Sequence, residues 1–226
     1  MVKTLHPNQI HAISHGTGPM LVLAGPGSGK TTVIIQRIRR LTEKMGVSPY
    51  RILVITFTKA AAEQMKTRYA ALQGKTGAMF GTFHSIFFRI LRQACGYSLE
   101  QVLSEDERRN TMQKLVTEAR ISVQDQEEYI QQFFSQYSLM KNQLQDVSDF
   151  VPEGLPKDEF VALSKKFDGW KRRNEKIDFD DMLTECYKVL SQDEKTRKMW
   201  QDRFDYILVD EFQDVNRAQY ACLQML

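Results

Sequence analysis

The chain has 226 residues, of which 42% are hydrophobic and 26% are charged, and its formal net charge is +3. This composition is ordinary for a soluble globular protein, and it neither requires nor excludes a nucleic-acid partner. No apolar run reaches the 18 residues of a membrane span, and the N-terminal residues lack the apolar core of a signal peptide. Three widely spaced cysteines favour reduced thiols in a cytoplasmic protein over a disulfide framework or a metal site.

The first elements in chain order are a short helix and a strand. Apolar residues recur at helical spacing within residues 5–15, and Pro7 suits the start of a helix. The uncharged apolar run at residues 20–24 then predicts a buried strand. It leads into the glycine-rich residues 25–32, after which helical spacing resumes and continues to Gly46.

Residues 24–32 have the spacing of a phosphate-binding loop, with alanine in the first position where glycine is more usual. The glycines allow the backbone N–H groups to converge on phosphate oxygens at the start of the next helix. Lys30 offers a positive charge to the terminal phosphates, and the Thr31 hydroxyl can bind a phosphate-bound Mg²⁺. The predicted nucleotide-binding residues of the loop are Ala24, Gly25, Pro26, Gly27, Ser28, Gly29, Lys30, Thr31 and Thr32.

Two further strands are predicted in the first half of the chain. Residues 52–55 form an uncharged, β-branched run typical of a buried parallel strand, and residues 78–80 give a weaker strand signal. Each run leads into a Thr-Phe pair, at residues 56–57 and 82–83, and then into a helix. Ligand sites form at the carboxyl ends of parallel strands, where aromatic faces can stack on unpaired bases. Packing of both phenylalanines in the core is the alternative interpretation.

From about residue 99 to 203 the pattern is helical and strand signals disappear. Ser104 begins a capping box, and Asp178 is predicted to cap a later helix. Residues 160–176 form a basic helix. Its cations could bind duplex phosphates or could simply face solvent, and the sequence leaves these two interpretations open.

A last strand is predicted at residues 206–209, directly before Asp210 and Glu211. In a nucleotide-hydrolysing site the first carboxylate can hold Mg²⁺ and the second can orient or deprotonate the attacking water. This pair therefore favours a hydrolase over a kinase. The final helix, residues 216–226, has an apolar stripe that runs to the last residue, which indicates a fragment of a longer protein.

These motifs resemble those of the UvrD/Rep/PcrA-like DNA helicases of superfamily 1, and the resemblance covers the whole chain. Two departures are visible: the family often has an extra Asn before Lys59, and often an arginine where Thr32 stands. The matching segments are residues 5–9 with Ala12 (the Q motif), 24–31 (motif I), 56–61 (motif Ia), 81–85 (the next DNA-contacting motif), 177–182 (the segment before motif II) and 210–214 (motif II).

The resemblance implies roles for individual residues. Gln9 would read the adenine edge of ATP, and the catalytic residues would be Lys30, Glu211 and Gln213. Thr31 and Asp210 would bind Mg²⁺. The DNA contacts would come from Phe57, Thr58, Lys59, Thr82, Phe83 and His84.

The resemblance also implies a fold and an activity. The fold is α/β, a phosphate-loop NTPase (RecA-like) parallel sheet in residues 1–98 and 204–226 with an all-α subdomain inserted at 99–203, truncated at its C-terminus. The full-length protein would be an ATP-dependent helicase that moves 3′ to 5′ on single-stranded DNA and engages single-strand/duplex junctions. Such an enzyme also needs a second RecA-like domain with an arginine that stabilises the transition state, so these residues alone would hydrolyse ATP poorly.

The sequence leaves two questions open, how the sheet is completed and which function the protein has. In sheets of this class, the strand after motif II lies between the phosphate-loop strand and the motif II strand, and it is not in this sequence. The sheet could contain a gap, the two strands could pair directly, or stability could require more chain. The functional alternatives are a helicase–nuclease subunit of the AddA type and a non-catalytic nucleotide- or DNA-binding module.

Overall fold

The computed structural model describes residues 5–73 and 77–226 and shows a mixed α/β architecture. No helix within these residues has the length and apolar character needed to cross a membrane. The strands are β1 (Ile52–Thr56), β2 (Met79–Thr82) and β3 (Tyr206–Val209). The helices are α1 (Pro7–Ser14), α2 (Lys30–Glu43), α3 (Lys59–Gln73), α4 (Phe83–Cys95), α5 (Glu105–Glu118), α6 (Gln126–Asn142), α7 (Lys157–Arg173), α8 (Phe179–Gln192), α9 (Glu194–Gln201) and α10 (Arg217–Gln224).

The sheet of the described residues is parallel, with the strand order β2-β1-β3. The central strand β1 is buried along its whole length, as expected for an apolar strand covered on both faces. In register, Thr56 lies opposite Thr82 and Ile55 lies opposite Val209. The strands predicted at residues 52–55, 78–80 and 206–209 are therefore confirmed.

The strand predicted at residues 20–24 is wrong, because this run has no regular secondary structure and does not join the sheet. Its side chains face solvent: Leu21 is 66% exposed and Leu23 is 88% exposed. A strand needs a neighbour for its backbone N–H and C=O groups. Both sides of β1 are already occupied, and β3 does not pair with the apolar run. Direct pairing of the phosphate-loop run with the motif II strand is thus excluded in this structure.

The chain divides into two compact units. The first contains the described residues up to Phe83 together with Lys198–Asp214, and the second contains His84–Arg197 and Val215–Leu226. In the first unit, α2 and α3 bury their apolar faces on β1, with Ile38, Met65 and Tyr69 at 1% exposure or less.

Arg37 joins the end of α1 to α2 in the first unit. Arg37 is 6% exposed, and its guanidinium donates to the backbone oxygens of His15 at 2.6 Å and Gly16 at 3.3 Å. Burial lowers the pKa of Arg37, and a buried guanidinium needs such acceptors to offset the loss of hydration. The chain just before residues 20–24 is therefore fixed to the helix that follows the phosphate loop.

The second unit has its own aromatic core, built where α5, α6 and α7 pack. Phe133, Phe160 and Phe167 are fully buried there, and the ring centroids of Phe133 and Phe160 lie 5.3 Å apart. The capping box predicted at Ser104 is formed, and Asp178 caps α8 as predicted, with Asp181 completing a capping box there as well. Helix α9 was not predicted, because its sequence is mostly polar.

A buried ionic cluster lies beside this core. Lys171 is 2% exposed, and its Nζ donates to Asp181 Oδ2 at 2.7 Å, Asp178 Oδ2 at 2.9 Å and Tyr137 Oη at 2.9 Å. Burial alone would lower the pKa of Lys171, but the carboxylates outweigh it and the pKa is raised. Lys141 also reaches Asp181, with Nζ 3.1 Å from Oδ1. Lys171, one of the cations of the predicted basic helix, is therefore an internal residue.

Candidate nucleotide and nucleic-acid sites

The predicted phosphate loop leads directly into the N-terminus of α2. Ser28 closes the loop on Gly25, whose carbonyl oxygen accepts from the Ser28 N–H at 3.3 Å and from Ser28 Oγ at 2.7 Å. Gly29 precedes the helix with φ 86°, in the left-handed region that favours glycine. A Cβ at this position would also lie 3.0 Å from Gln9 Nε2. The left-handed conformation therefore favours glycine at position 29, and a larger residue would also displace the end of the Gln9 side chain.

The N-terminus of α2 is suited to an anion. Among residues 5–73 and 77–226, no side chain accepts from its first N–H groups, so these donors and the positive end of the helix dipole face the loop. Lys30, Thr31 and Thr32 occupy the first turn and are half-buried. Ala24, Pro26 and Gly27 lie exposed in the irregular segment before them.

Gln9 connects α1 to the phosphate loop. Its Nε2 donates to the Ser28 carbonyl oxygen at 2.7 Å, and its Oε1 accepts from the backbone N–H of His6 at 2.9 Å. A glutamine amide has two N–H donors and an oxygen with two lone pairs. Within the described part of the chain, one donor and one lone pair of Gln9 are therefore left for a ligand.

The end of β3 meets the phosphate loop through an ion pair. Lys30 Nζ lies 2.8 Å from Glu211 Oε2, and Gln213 Nε2 donates to the same oxygen at 2.8 Å. The bond to Lys30 lowers the pKa of Glu211, and the bond to Glu211 raises the pKa of Lys30. Glu211 holds φ 51°, an uncommon conformation for a residue with a side chain. Strain of this kind is concentrated at functional sites.

Asp210 lies one residue earlier, where the β-ladder ends. Its backbone N–H donates to the Ile55 carbonyl oxygen at 2.9 Å, and it is 8% exposed. Burial, and then the neighbouring Glu211, raise the pKa of the Asp210 carboxyl group. An Asp210 carboxylate and a Thr31 hydroxyl are the oxygen donors that Mg²⁺ prefers, so the donor types fit this ion. Among the described residues, no group of three or more His, Cys, Asp or Glu side chains forms a metal site by itself.

The two Thr-Phe pairs are brought together by the register of β1 and β2. Thr56 and Thr82 are opposite each other, and the rings of Phe57 and Phe83 meet edge to face with centroids 5.5 Å apart. Phe83 is 1% exposed, whereas Phe57 is only half-buried. Phe57 is thus the more accessible ring of the pair.

Thr58 and Lys59 follow at the start of α3, and both are exposed. Thr58 Oγ1 accepts from the Ala61 N–H at 3.0 Å and so caps the helix. Thr82 is 7% exposed. Lys59 presents its ammonium group to solvent at the carboxyl end of β1.

His84 belongs to the second unit, where its ring meets Phe179 edge to face at 5.5 Å. Burial lowers the pKa of His84, which favours the neutral imidazole at neutral pH. A neutral imidazole can donate or accept a hydrogen bond but adds no positive charge to a DNA site.

Arg37, which anchors the segment ahead of the phosphate loop, was not among the predicted functional residues. The spacing could have indicated that Arg37 is buried, because it lies three residues after Ile34 and four before Leu41, on the apolar face of α2. An arginine at such a position must bury its charge against carbonyl or carboxylate oxygens.

Comparisons with known proteins agree with these features. A family model described as the UvrD/REP helicase N-terminal domain matches residues 5–226. The ATP-dependent DNA helicase PcrA of Staphylococcus epidermidis is 34% identical over 100% of this chain and 32% of its own length. The ATP-dependent DNA helicase Rep of Escherichia coli is 34% identical over 98% of this chain and 34% of its own length. The putative ATP-dependent DNA helicase YjcD of Bacillus subtilis is 36% identical over 98% of this chain and 30% of its own length. The chain spans about a third of the length of these relatives.

Proposed function

The chain belongs to the UvrD/REP helicase N-terminal domain family, and from this we propose that it is the ATP- and DNA-binding part of an ATP-dependent DNA helicase. We assign 3′ to 5′ movement on single-stranded DNA, and engagement of single-strand/duplex junctions, to the full-length protein. The observation that carries the proposal is the convergence of Lys30, Glu211 and Gln213 at the start of α2. Residues far apart in sequence thereby meet where a terminal phosphate would lie.

In this proposal the loop residues 24–32 enclose the phosphates of ATP. The free N–H groups of α2 and the Lys30 ammonium stabilise negative charge on the terminal phosphate. To do so, Lys30 exchanges its bond to Glu211 for a phosphate oxygen. Glu211 is then free to orient or deprotonate the attacking water, and Gln213 holds the Glu211 carboxylate in position.

Mg²⁺ would be held by the Thr31 hydroxyl and the Asp210 carboxylate, and when bound it neutralises phosphate charge. Gln9 would read adenine, because its free donor and free lone pair match the acceptor and donor on the adenine edge. Thr32 would lie beside the nucleotide in the first turn of α2.

For DNA, we propose that Phe57 stacks on a base and that Lys59 contacts a backbone phosphate. Phe83 packs its ring against Phe57, so it would hold the Phe57 ring in place for stacking. A direct contact between Phe83 and a base would require its buried ring to be uncovered. Thr58, Thr82 and His84 complete the proposed DNA-contacting set.

The domain organisation is also part of the proposal. Residues 1–98 and 204–226 would form the first RecA-like domain, and residues 99–203 an inserted helical subdomain, in a protein that acts in the cytoplasm. A second RecA-like domain would supply the arginine that stabilises the transition state, a contribution of about 10³–10⁵ in rate. We therefore expect the 226 residues alone to hydrolyse ATP very slowly.

The test compares the full-length protein with its Lys30→Ala variant. DNA-stimulated ATP hydrolysis is expected in the former and not in the latter, and unwinding is expected on a duplex with a 3′ tail but not with a 5′ tail. Equal turnover by the Lys30→Ala variant would contradict the assigned site. A DNA-stimulated rate for the 226 residues close to that of the full-length protein would contradict the need for a second domain.

A further inference from the structure

The basic residues of α7 and the segment after it separate into two groups in the structure. Lys171 is buried in the ionic cluster described above. Lys176 donates Nζ to the Glu100 carbonyl oxygen at 2.9 Å and lies 3.4 Å from Glu107 Oε1. These two cations are therefore engaged within the second unit. Apart from Lys157 in the first turn of α7, the cations that remain exposed are Lys165, Lys166, Arg172 and Arg173.

These four exposed cations make no hydrogen bond or ion pair with any other residue in the described part of the chain. The acid of their own helix that lies among them, Asp168, turns inward instead. Its carboxylate accepts from Tyr137 Oη and lies 3.3 Å from Lys171 Nζ and 3.5 Å from Lys141 Nζ. Asp146, which follows α6, interacts electrostatically with Lys165. Within the described residues, no carboxylate forms an ion pair with any of the four cations, so most of the positive charge on the outside of α7 is left unneutralised.

The four cations also share one side of the helix. Lys165 and Arg172 are seven residues apart, as are Lys166 and Arg173, and seven residues are about two helical turns. All four charges therefore project from one side within about 12 Å along the axis. Together with Gly169 between them, they form what we call the α7 basic face.

Gly169 is an unusual residue at the centre of a 17-residue helix. Apart from proline, glycine is the least favourable residue in a helix interior. Packing does not require it here, because a Cβ at this position would meet only the flexible end of Arg173, at 3.4 Å. A glycine in such a place is suited to close approach of a ligand to the helix backbone.

The aromatic residues of α7 do not take part in this face. Phe167 is fully buried, and Trp170 packs against the apolar core of the second unit. Surfaces that bind single strands combine cations with exposed aromatic rings on which bases stack. A face that offers cations alone matches a duplex, whose bases are stacked inside and whose phosphates lie outside.

We propose that the α7 basic face binds the phosphate backbone of double-stranded DNA without reading its sequence. The inference rests on the proposed function in one respect, that DNA is the partner. It does not depend on ATP hydrolysis, and it concerns a surface distinct from the strand-end residues assigned to single-stranded DNA.

The test measures affinity for a labelled blunt 20-base-pair duplex by fluorescence anisotropy, without nucleotide, between 50 and 200 mM salt. One variant replaces the four cations: Lys165→Gln, Lys166→Gln, Arg172→Gln and Arg173→Gln. A matched control removes the same charge from exposed positions elsewhere in the second unit: Lys114→Gln, Arg120→Gln, Lys188→Gln and Lys195→Gln.

The first variant is expected to lose at least about tenfold in affinity. Its slope of log K against log salt should become shallower by about 3.6, since each of the four phosphate contacts contributes about 0.9. The control should keep both values within about twofold of the unmodified chain. An equal loss in both variants would reduce the effect to net charge and overturn the proposal. So would an unchanged salt dependence in the first variant.

A second pair of variants leaves the four cations in place. Gly169→Glu puts an acid within reach of all of them, whereas Gly169→Gln adds the same bulk without charge, and both replace a poor helix former. Gly169→Glu should weaken duplex binding at least about fivefold relative to Gly169→Gln. Equal affinity of the two would contradict the proposal.

Two further measurements separate the alternatives. If the four-cation variant lost binding to phosphatidylserine vesicles but kept duplex binding, the face would be a membrane surface and the proposal would be wrong.

Affinity for a 20-nucleotide oligothymidine, compared between the unmodified chain and Lys59→Gln, tests the proposed single-strand site. If Lys59→Gln bound oligothymidine as tightly as the unmodified chain while duplex binding behaved as expected, the proposed single-strand site would be contradicted and the α7 basic face would remain supported.

Discussion

Lys30 Nζ lies 2.8 Å from Glu211 Oε2, although 181 residues separate the two along the chain. The ion pair places the phosphate loop and the end of β3 within reach of one small ligand. It also places Lys30 in contact with an anion before any phosphate is bound. A nucleotide bound at this loop, as proposed above, would have to compete with Glu211 for the lysine.

This competition gives the first prediction. Glu211→Gln replaces the carboxylate by a neutral amide of the same shape, so Lys30 should be more available to phosphate. We expect ATP to bind up to about fivefold more tightly to this variant, as measured with a fluorescent ATP analogue, since exposed ion pairs are individually weak. Hydrolysis by the full-length protein should be lost. Weaker nucleotide binding by Glu211→Gln than by the unmodified chain would contradict the competition.

The second prediction concerns Gln9, which has one donor and one lone pair left after its bonds to Ser28 and His6. If these groups read adenine, Gln9→Ala should weaken ATP binding about tenfold and GTP binding much less. The measurement is a parallel titration with fluorescent ATP and GTP analogues. Asn8→Ala is the control, because Asn8 is exposed and only its backbone N–H bonds to His6. An equal loss of affinity for both nucleotides would show that Gln9 supports the loop and does not read adenine.

Most residues of the proposed nucleotide site could be singled out from the sequence, because they follow one another at fixed spacing. The residue types and local order of 24–32, and of the pair Asp210 and Glu211, indicate their chemistry directly. The apolar run before Asp210 likewise indicates a strand. The bond from Gln9 to Ser28 and the strained φ of Glu211 depend on tertiary contacts, which residue spacing does not encode.

The strand prediction at residues 20–24 was wrong because a strand also needs a partner. The composition of these residues is that of a buried strand, yet composition cannot supply the neighbouring strand that such a run must pair with. Lys171 shows the same limit. In the sequence it is one cation of a basic helix, and only the packing of α6 and α8 around it shows that it is internal.

The third prediction is a pH dependence in the ionic cluster of Lys171. Three carboxylates (Asp168, Asp178 and Asp181) face two lysines there, so one acid is in excess. Asp181 touches both lysines, whereas Asp178 touches only Lys171 and is 1% exposed. Burial, and then the neighbouring Asp181, raise the pKa of Asp178 from 3.8 to about 6.

Because the folded protein holds this proton more tightly than the unfolded chain, the contribution of Asp178 to the free energy of unfolding falls as pH rises from about 4 to about 6, and is constant above. Asp178→Asn keeps the cap on α8 but cannot titrate. Relative to this variant, the unmodified chain should lose roughly 2–3 kcal/mol between pH 4 and pH 7. Urea unfolding followed by circular dichroism measures the difference. A difference that is independent of pH would contradict the assignment of the excess proton to Asp178.

The last prediction tests the exposed apolar run. Leu23 is 88% exposed and lies outside the sheet, so Leu23→Ser should change the free energy of unfolding of this chain by less than about 0.5 kcal/mol. Leu53 has the same side chain but is fully buried in β1. Leu53→Ser removes a packed side chain and buries a hydroxyl group, and should cost about 3 kcal/mol or more. Urea unfolding of both variants makes the comparison. A cost above about 2 kcal/mol for Leu23→Ser would show that residues 20–24 pack as a strand in solution, and the sheet order β2-β1-β3 would then be incomplete.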